Sequence, residues 1–430
     1  MTFDYTDQWI RDCIRKGKTG EIGLERETLR VNESGRMAQT PHPFSGSDAI
    51  TRDFCENQVE IITPPSKSAE QAVKLLYGVH REAAEKLLSL DSGAEYLWPF
   101  SNPPCISGEE EIPIARFHGI SSSKTTYREY LARKYGKRKM LFCGIHLNFS
   151  FSDKLLESAF SRAGVLSARE FKDSVYLSLA QKTAAYGWLI TYLTAASPVI
   201  DSSFFTKPTN GSRYASVRCG ALGYWNDFVP VFDYGSIDSY TESIWRYIRD
   251  GRIASPSELY YPIRLKPKGE NRLDHLRENG VNHIELRMID VNPLTPAGIF
   301  EEDIFFIQLF LLYLMSLQDE AFGNDAQLRA AHHFKQAALY DDRDVTVTVC
   351  GEEKPIRQEA LRIVRDMKVF FAGIAHDTQI TAVLDYQENK LTDRSRSYAF
   401  RIREMFGDDF TSKGLSLAKR YAQPQQGGVI

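Results

Sequence analysis

Two carboxylates stand two residues apart in Gly23-Leu24-Glu25-Arg26-Glu27-Thr28-Leu29-Arg30-Val31, a stretch that reads as a β-strand. Strand side chains alternate between faces, so Glu25 and Glu27 share a side with Leu29 and Val31, opposite Arg26, Thr28 and Arg30. The expectation is a strand that turns its acids toward the apolar interior and its arginines outward. Carboxylates buried without partners are costly or take up protons. Hard divalent cations such as Mg²⁺ are the natural compensation because they bind oxygen ligands. An intramolecular metal site is the chemistry this strand suggests.

Three further strand-like segments carry groups of the same kind. Val59-Glu60-Ile61-Ile62 places an acid in an apolar run, with Asp53 seven residues earlier. An odd spacing puts Asp53 and Glu60 on opposite faces of a straight strand, so a shared site needs a bulge or a loop near Asp53. In Gly144-Ile145-His146-Leu147-Asn148-Phe149-Ser150, His146, Asn148 and Ser150 share one face. In His283-Ile284-Glu285-Leu286-Arg287-Met288-Ile289-Asp290, one face takes His283, Glu285, Arg287 and Ile289. Taken alone, these last two are ordinary half-buried strands with a wet face. As neighbours, the four would gather several carboxylates, an imidazole and a guanidinium, a set suited to divalent ions and a transferring phosphoryl group. There is no Gly-x-x-x-x-Gly-Lys-[Ser/Thr] loop, no Gly-x-Gly-x-x-Gly after a strand, no His-Glu-x-x-His and no Gly-x-Ser-x-Gly. P-loop, Rossmann, zincin and esterase chemistry are therefore unsupported. The adjacent rings of His332 and His333 diverge in a helix and suit a surface or core role.

The elements that must position these groups follow from pattern. Helices are expected over 7–16, 68–90, 126–134, 168–193, 238–249, 302–317, 325–338, 356–375 and 394–405. Strands are expected over 53–63, where Pro64 and Pro65 stop the run, 140–151, 259–265 and 283–291, besides the Glu25/Glu27 strand. Interspersed strands followed by helices give an α+β class with a mostly antiparallel or mixed sheet. Without repeats or low-complexity linkers, one catalytic domain over 1–422 and a disordered tail over 423–430 are expected. The composition is 43% hydrophobic and 25% charged with a net charge of −3, which argues against nucleic acid as a partner. No signal peptide or bilayer-length apolar run is evident, and 304–315 reads as a buried core helix. Six scattered cysteines without a Cys-x-x-Cys pair suit free thiols in a reducing cytoplasm.

The same segments, together with Thr40-Pro41-His42-Pro43, Leu97-Trp98-Pro99, Tyr127-Arg128-Glu129, Ala196-Ser197-Pro198 and Leu259-Tyr260…Pro262-Ile263-Arg264, closely resemble the glutamate–cysteine ligase family. The likeness is to its proteobacterial type and to the N-terminal part of bifunctional glutathione synthases, in the same order across most of the chain. The resemblance implies a glutamine-synthetase-like fold, a curved and mostly antiparallel sheet forming an active-site funnel surrounded by helices. It implies ATP-dependent phosphorylation of the γ-carboxylate of L-glutamate, then attack by the amino group of L-cysteine. By analogy Glu27, Asp53 and Glu60 hold one metal and Glu25, His146 and Glu285 another, Mg²⁺ or alternatively Mn²⁺. Glu25, Glu285 and Arg287 would then be catalytic, with Arg287 neutralising the transferring phosphoryl group. Phe54, Tyr127, Leu131, Arg218, Tyr224, Tyr260 and Arg264 correspond to substrate-pocket positions. The chain departs from the family pattern at Met140, Leu147 and Asp201, which leaves a γ-glutamyl ligase for another amine as the alternative. Small-molecule substrates in the cytoplasm, with neither membrane nor nucleic acid as partner, complete the expectation.

Overall fold

The computed structural model describes residues 12–14, 19–163, 167–207, 209–349, 351–372 and 378–423. The strands are β1 (Gly20–Asn32), β2 (Ile50–Arg52), β3 (Gln58–Ile62), β4 (Glu95–Leu97), β5 (Gly144–Phe151), β6 (Ile263–Lys266), β7 (His283–Asp290), β8 (Thr346–Val349) and β9 (Glu352–Pro355). The helices are α1 (Ala69–Leu88), α2 (Ser123–Tyr135), α3 (Asp153–Ala163), α4 (Ala168–Tyr186), α5 (Trp188–Thr194), α6 (Ile237–Arg249) and α7 (Leu273–Asn279). They continue with α8 (Glu301–Leu314), α9 (Asn324–Ala337), α10 (Ile356–Ala372), α11 (Thr378–Thr392), α12 (Tyr398–Phe406) and α13 (Phe410–Ala422).

Strands β2-β3-β1-β5-β7-β6 form one open sheet in that order, with β4 pairing the far end of β1. Every pairing in it is antiparallel. The long β1 is its spine, pairing β3 on one side and β5 on the other. Helix α1 starts where Ser68 caps it, its side chain accepting from the backbone N–H of Gln71. Its Ala72, Leu76, Ala83 and Leu87 are buried at helical spacing. Helix α8 is buried nearly throughout, as its apolar run predicts. No helix among the described residues is long and apolar enough to cross a membrane.

Several expected elements shift. Of the expected strand over 53–63 only β3 (Gln58–Ile62) forms, and Asp53 lies in the turn that joins it to β2. Residues 138–141 form a 3-10 turn, so β5 begins only at Gly144. The 168–193 helix breaks at Gly187, where a Cβ would lie 2.5 Å from the Thr183 carbonyl. The 259–265 strand begins later, at Ile263. Helices α3, α7, α11 and α13 and the β8–β9 hairpin were not expected. Of the 7–16 segment only 12–14 is described, and it is helical. Residues 424–430 of the expected tail lie outside the described residues.

The outward arginines need correcting. Arg26, Thr28 and Arg30 are all fully buried, because helix and loop cover the rear of the sheet. Arg30 pairs with buried Glu95 of β4 at 2.5 Å and donates to the Thr40 and Glu56 carbonyls. Arg26 donates to the Pro296 carbonyl at 2.6 Å and lies 3.3 Å from His80 of α1. The acids occupy the opposite, more open face.

Candidate active site

Register brings the acids together. Glu27 lies opposite Glu60, and Glu25 opposite His146. Asn148 lies opposite Glu285, which lies opposite Arg264 on its other side. The β5–β7 register shifts between Ile145 and Leu147, so Arg287 and Met288 together oppose His146. This bulge reverses the alternation beyond it. Ile289, expected beside Glu285 and Arg287, instead pairs with Ile145 on the apolar face.

Glu25 accepts from Asn148 Nδ2 at 2.9 Å and stands 3.2 Å from His146 Nδ1. Glu27 accepts from the backbone N–H of Gly144 at 2.9 Å and lies 3.6 Å from His146 Nε2. Glu60 accepts from Thr51 Oγ1 at 3.1 Å. Asp53 lies 3.9 Å from Arg128 Nη2, while Arg128 Nε donates to its carbonyl. Glu285 is surrounded by cations, with Arg287 at 3.1 Å, Arg264 at 3.6 Å and Lys266 at 3.7 Å.

These surroundings divide the acids. Burial, reinforced by Asp53, Glu25 and Glu27, pushes the Glu60 carboxyl well above its ordinary range. Burial and Glu27 also raise Asp53. Burial and Glu285 would raise Glu25 too, but the hydrogen bond and charge of His146, with Lys266, together outweigh them and the carboxyl falls. For Glu285, burial is outweighed by Arg287, Lys266, Arg264 and His146, leaving its carboxyl well below the usual range. The Glu285 end is thus neutralised by the protein itself, and the Glu60 end is not.

The uncompensated end fits a divalent cation. Ligand atoms of Glu25, Glu60 and His146 lie within 4.8 Å of one another. His146 Nε2 and Glu285 Oε2 are buried with no hydrogen-bond partner among the described residues. Oxygen donors with one imidazole suit a hard or borderline ion. The cluster crosses the two ligand sets implied by resemblance, taking Glu25 and His146 from one and Glu60 from the other.

The expected pocket residues lie beside this face. The Tyr224 and Tyr260 rings are 4.1 Å apart between centroids, and both line one cavity with Arg218 and Arg287. Phe54 and Leu131 are buried. Burial pushes the Tyr127 phenol up to about 12, with Glu258, Arg264 and Asp53 among its charged neighbours. Arg218 and Arg264 direct donors to the backbone, Arg218 to the carbonyls of Arg287 and Ile289, Arg264 to those of Ser257 and Leu259. Sequence reasoning missed Lys266 and Arg128 as charges at the site. Lys266 was legible, since it repeats Arg264 two residues on along one strand face; Arg128 reaches Asp53 from a helix distant in sequence.

An open antiparallel sheet that gathers acids, an imidazole and a guanidinium on one face, with helices around it, has the glutamine-synthetase-like architecture of carboxylate-activating ligases. A family model described as glutamate-cysteine ligase matches residues 11–250 and 228–337, and the chain belongs to that family. It is 35% identical over 426 residues to the glutathione biosynthesis bifunctional protein GshAB of Listeria monocytogenes, covering 94% of this chain and 55% of that protein. It is 34% identical over 388 residues to the glutamate–cysteine ligase of Clostridium acetobutylicum, covering 78% of this chain and 79% of that one. The crystal structure of a bifunctional glutathione synthetase from Pasteurella multocida superposes with a TM-score of 0.82 at 26% identity, over 96% of this chain and 54% of that one. The chain spans about half the length of the first curated relatives it matches.

Proposed function

We propose that this chain joins the γ-carboxylate of L-glutamate to the amino group of L-cysteine, with ATP as phosphoryl donor and γ-glutamyl phosphate as intermediate. The observation that carries this reading is the acid face itself: Glu25, Glu60 and His146 converge on one point, with Arg287 held beside Glu285, in a chain of the glutamate–cysteine ligase family. A free carboxylate is a poor acyl donor, and phosphorylation gives it a leaving group. Glu25, Glu27, Asp53, Glu60, His146 and Glu285 would hold Mg²⁺ or Mn²⁺, which supplies positive charge against the phosphates. Arg287, half-buried and kept cationic by Glu285, faces the negative charge that develops on the transferring group. Phe54, Tyr127, Leu131, Tyr224 and Tyr260 form an aromatic and apolar wall that receives the amine and excludes water from the acyl phosphate. Arg218 and Arg264 hold that wall to the sheet through their backbone hydrogen bonds.

The alternative acceptor loses its motive. Leu147 points to the apolar face, paired with Leu24 and Leu286, and Met140 is buried. Asp201 caps the 202–204 turn by accepting from the Ser203 N–H. One catalytic domain over 1–422 is supported by a hydrophobic core that runs continuously from Cys13 to Ala422. Cys55, Cys105, Cys143 and Cys219 are free thiols, which supports a cytoplasmic enzyme. Phosphate release measured with ATP, glutamate and a panel of amines tests the reading. Release should require both glutamate and an amine, with cysteine the best acceptor; a far better amine would refute cysteine, and release without glutamate would refute the reaction.

A further inference from the structure

Helix α2 supplies Tyr127 and Leu131 to the acceptor wall, and its Tyr127, Tyr130, Ala132 and Tyr135 meet the core only half-buried. Among the described residues Leu131 is its one buried side chain, whereas helices in proteins draw most of their stability from a buried apolar face. Its second half is held instead by a fully buried acid from another segment, Glu258. Glu258 Oε1 accepts from Lys134 Nζ at 2.6 Å, from Tyr135 Oη at 2.8 Å and from Tyr130 Oη at 3.3 Å. All three donors belong to α2. Glu258 Oε2 accepts from the backbone N–H of Ala254 at 2.6 Å, which fixes the carboxylate to its own loop.

The same hub reaches the other walls of the pocket. Asn226 Nδ2 donates to Tyr135 Oη at 3.0 Å and to the Glu258 carbonyl at 2.8 Å. Asn226 Oδ1 accepts from the backbone N–H of Tyr260 at 2.8 Å. The Tyr135 ring meets Tyr260 edge-on, 5.4 Å between centroids. Asn226 stands two residues after Tyr224, and Glu258 two residues before Tyr260. Three segments that each carry pocket residues therefore meet at one carboxylate.

We propose that Glu258 is a positioning residue for the amine acceptor: it latches α2 to the 224–226 and 256–260 segments so that Tyr127, Leu131, Tyr224 and Tyr260 form one pocket. The inference rests on the ligase reading above. Hydrogen bonds to a buried charge are among the stronger ones, and losing the charge leaves Lys134 without its counter-ion. None of the Glu258 hydrogen-bond partners named here belongs to the acid face, so the latch should act on acceptor binding and not on phosphoryl transfer.

Glu258→Gln tests this by substrate kinetics and by hydrogen exchange on the whole chain. The acceptor KM should rise about tenfold or more, while the KM values for ATP and glutamate stay within about twofold. Exchange over 123–135 should accelerate while β1 and β5 keep their protection. Tyr135→Phe removes one hydroxyl at nearly constant volume and serves as the variant if Glu258→Gln does not fold. It should move the acceptor KM the same way, by about threefold. An equal rise in all three KM values, a fall in kcat alone, or unchanged exchange over α2 would overturn the latch. The exchange readout needs no turnover, so a wild-type protein that ligates no amine would sink the reaction proposed above while still deciding whether the latch exists.

Discussion

Glu60, half-buried, and Glu285, fully enclosed, are acids of one site, and their surroundings give them opposite energetic signs. Glu60 sits among Asp53, Glu25 and Glu27 with a threonine hydroxyl as donor. Its folded carboxyl titrates above its unfolded value. Its contribution to stability is therefore present below the ordinary carboxylate range and lost as pH rises through the folded value. Glu60→Gln should raise the Tm of metal-free protein at neutral pH by roughly 2–4 °C, narrow the further rise produced by Mg²⁺, and lower turnover at least a hundredfold. Glu285→Gln removes the counter-charge of Arg287, Arg264 and Lys266 and should destabilise the fold by about 3 kcal/mol. Thermal melts of the two variants without metal check the pair; a shared sign would show that the acid face is not divided as described.

At the scale of elements, the site depends on how closely β5 approaches its neighbours. A Cβ on Gly144 would stand 2.0 Å from Arg218 Nη2 and 2.2 Å from its Cζ. That guanidinium is pinned by the carbonyls of Arg287 and Ile289, so it has little freedom to retreat. Gly144→Ala should cost about 1–3 kcal/mol in denaturant unfolding and disturb Glu27, which accepts from the Gly144 N–H. Stability equal to wild type would mean that Arg218 can relocate freely. The acids of β1 were legible in the sequence because alternation is a local property. The bulge at Arg287–Met288 was not, since a bulge is defined only against a partner strand. Nor was the burial of Arg26 and Arg30, whose partners Pro296 and Glu95 lie 270 and 65 residues away. Asp53 was legible in part: its odd spacing from Glu60 demanded a break, and the turn between β2 and β3 provides it.

For the whole molecule, buried histidines outside the acid face, His80 and His333 among them, shape its response to acid. Burial, with Arg26 and Arg81 nearby, holds His80 well below its usual value. Burial, with His332 and Arg329, lowers His333 to about 4. The unfolded chain takes up these protons near pH 6.5, before the folded one does. Their stabilising contribution is thus complete above that value and lost as pH falls toward the folded values. The histidines thus oppose the gain that Glu60 makes as pH falls, and His80→Gln should raise the Tm at pH 4 relative to that at pH 7 compared with wild type; an unchanged difference would remove His80 from the account. This histidine contribution belongs to the core and adds to the loss that Glu285 suffers at lower pH.

The alternation on β1 also guards against its own misassembly. Glu25 and Glu27 face the open side while Arg26 and Arg30 are sealed behind, so a slip of one residue against β3 and β5 would exchange the two pairs. Carboxylates would then meet Glu95 and the carbonyls that now receive guanidinium, and arginines would occupy the cation seat. Gly20 adds a steric check, since a Cβ there would lie 2.1 Å from the Ser150 carbonyl and any neighbour moved into its place would collide. The charges that perform the chemistry thus also proofread the strand that carries them.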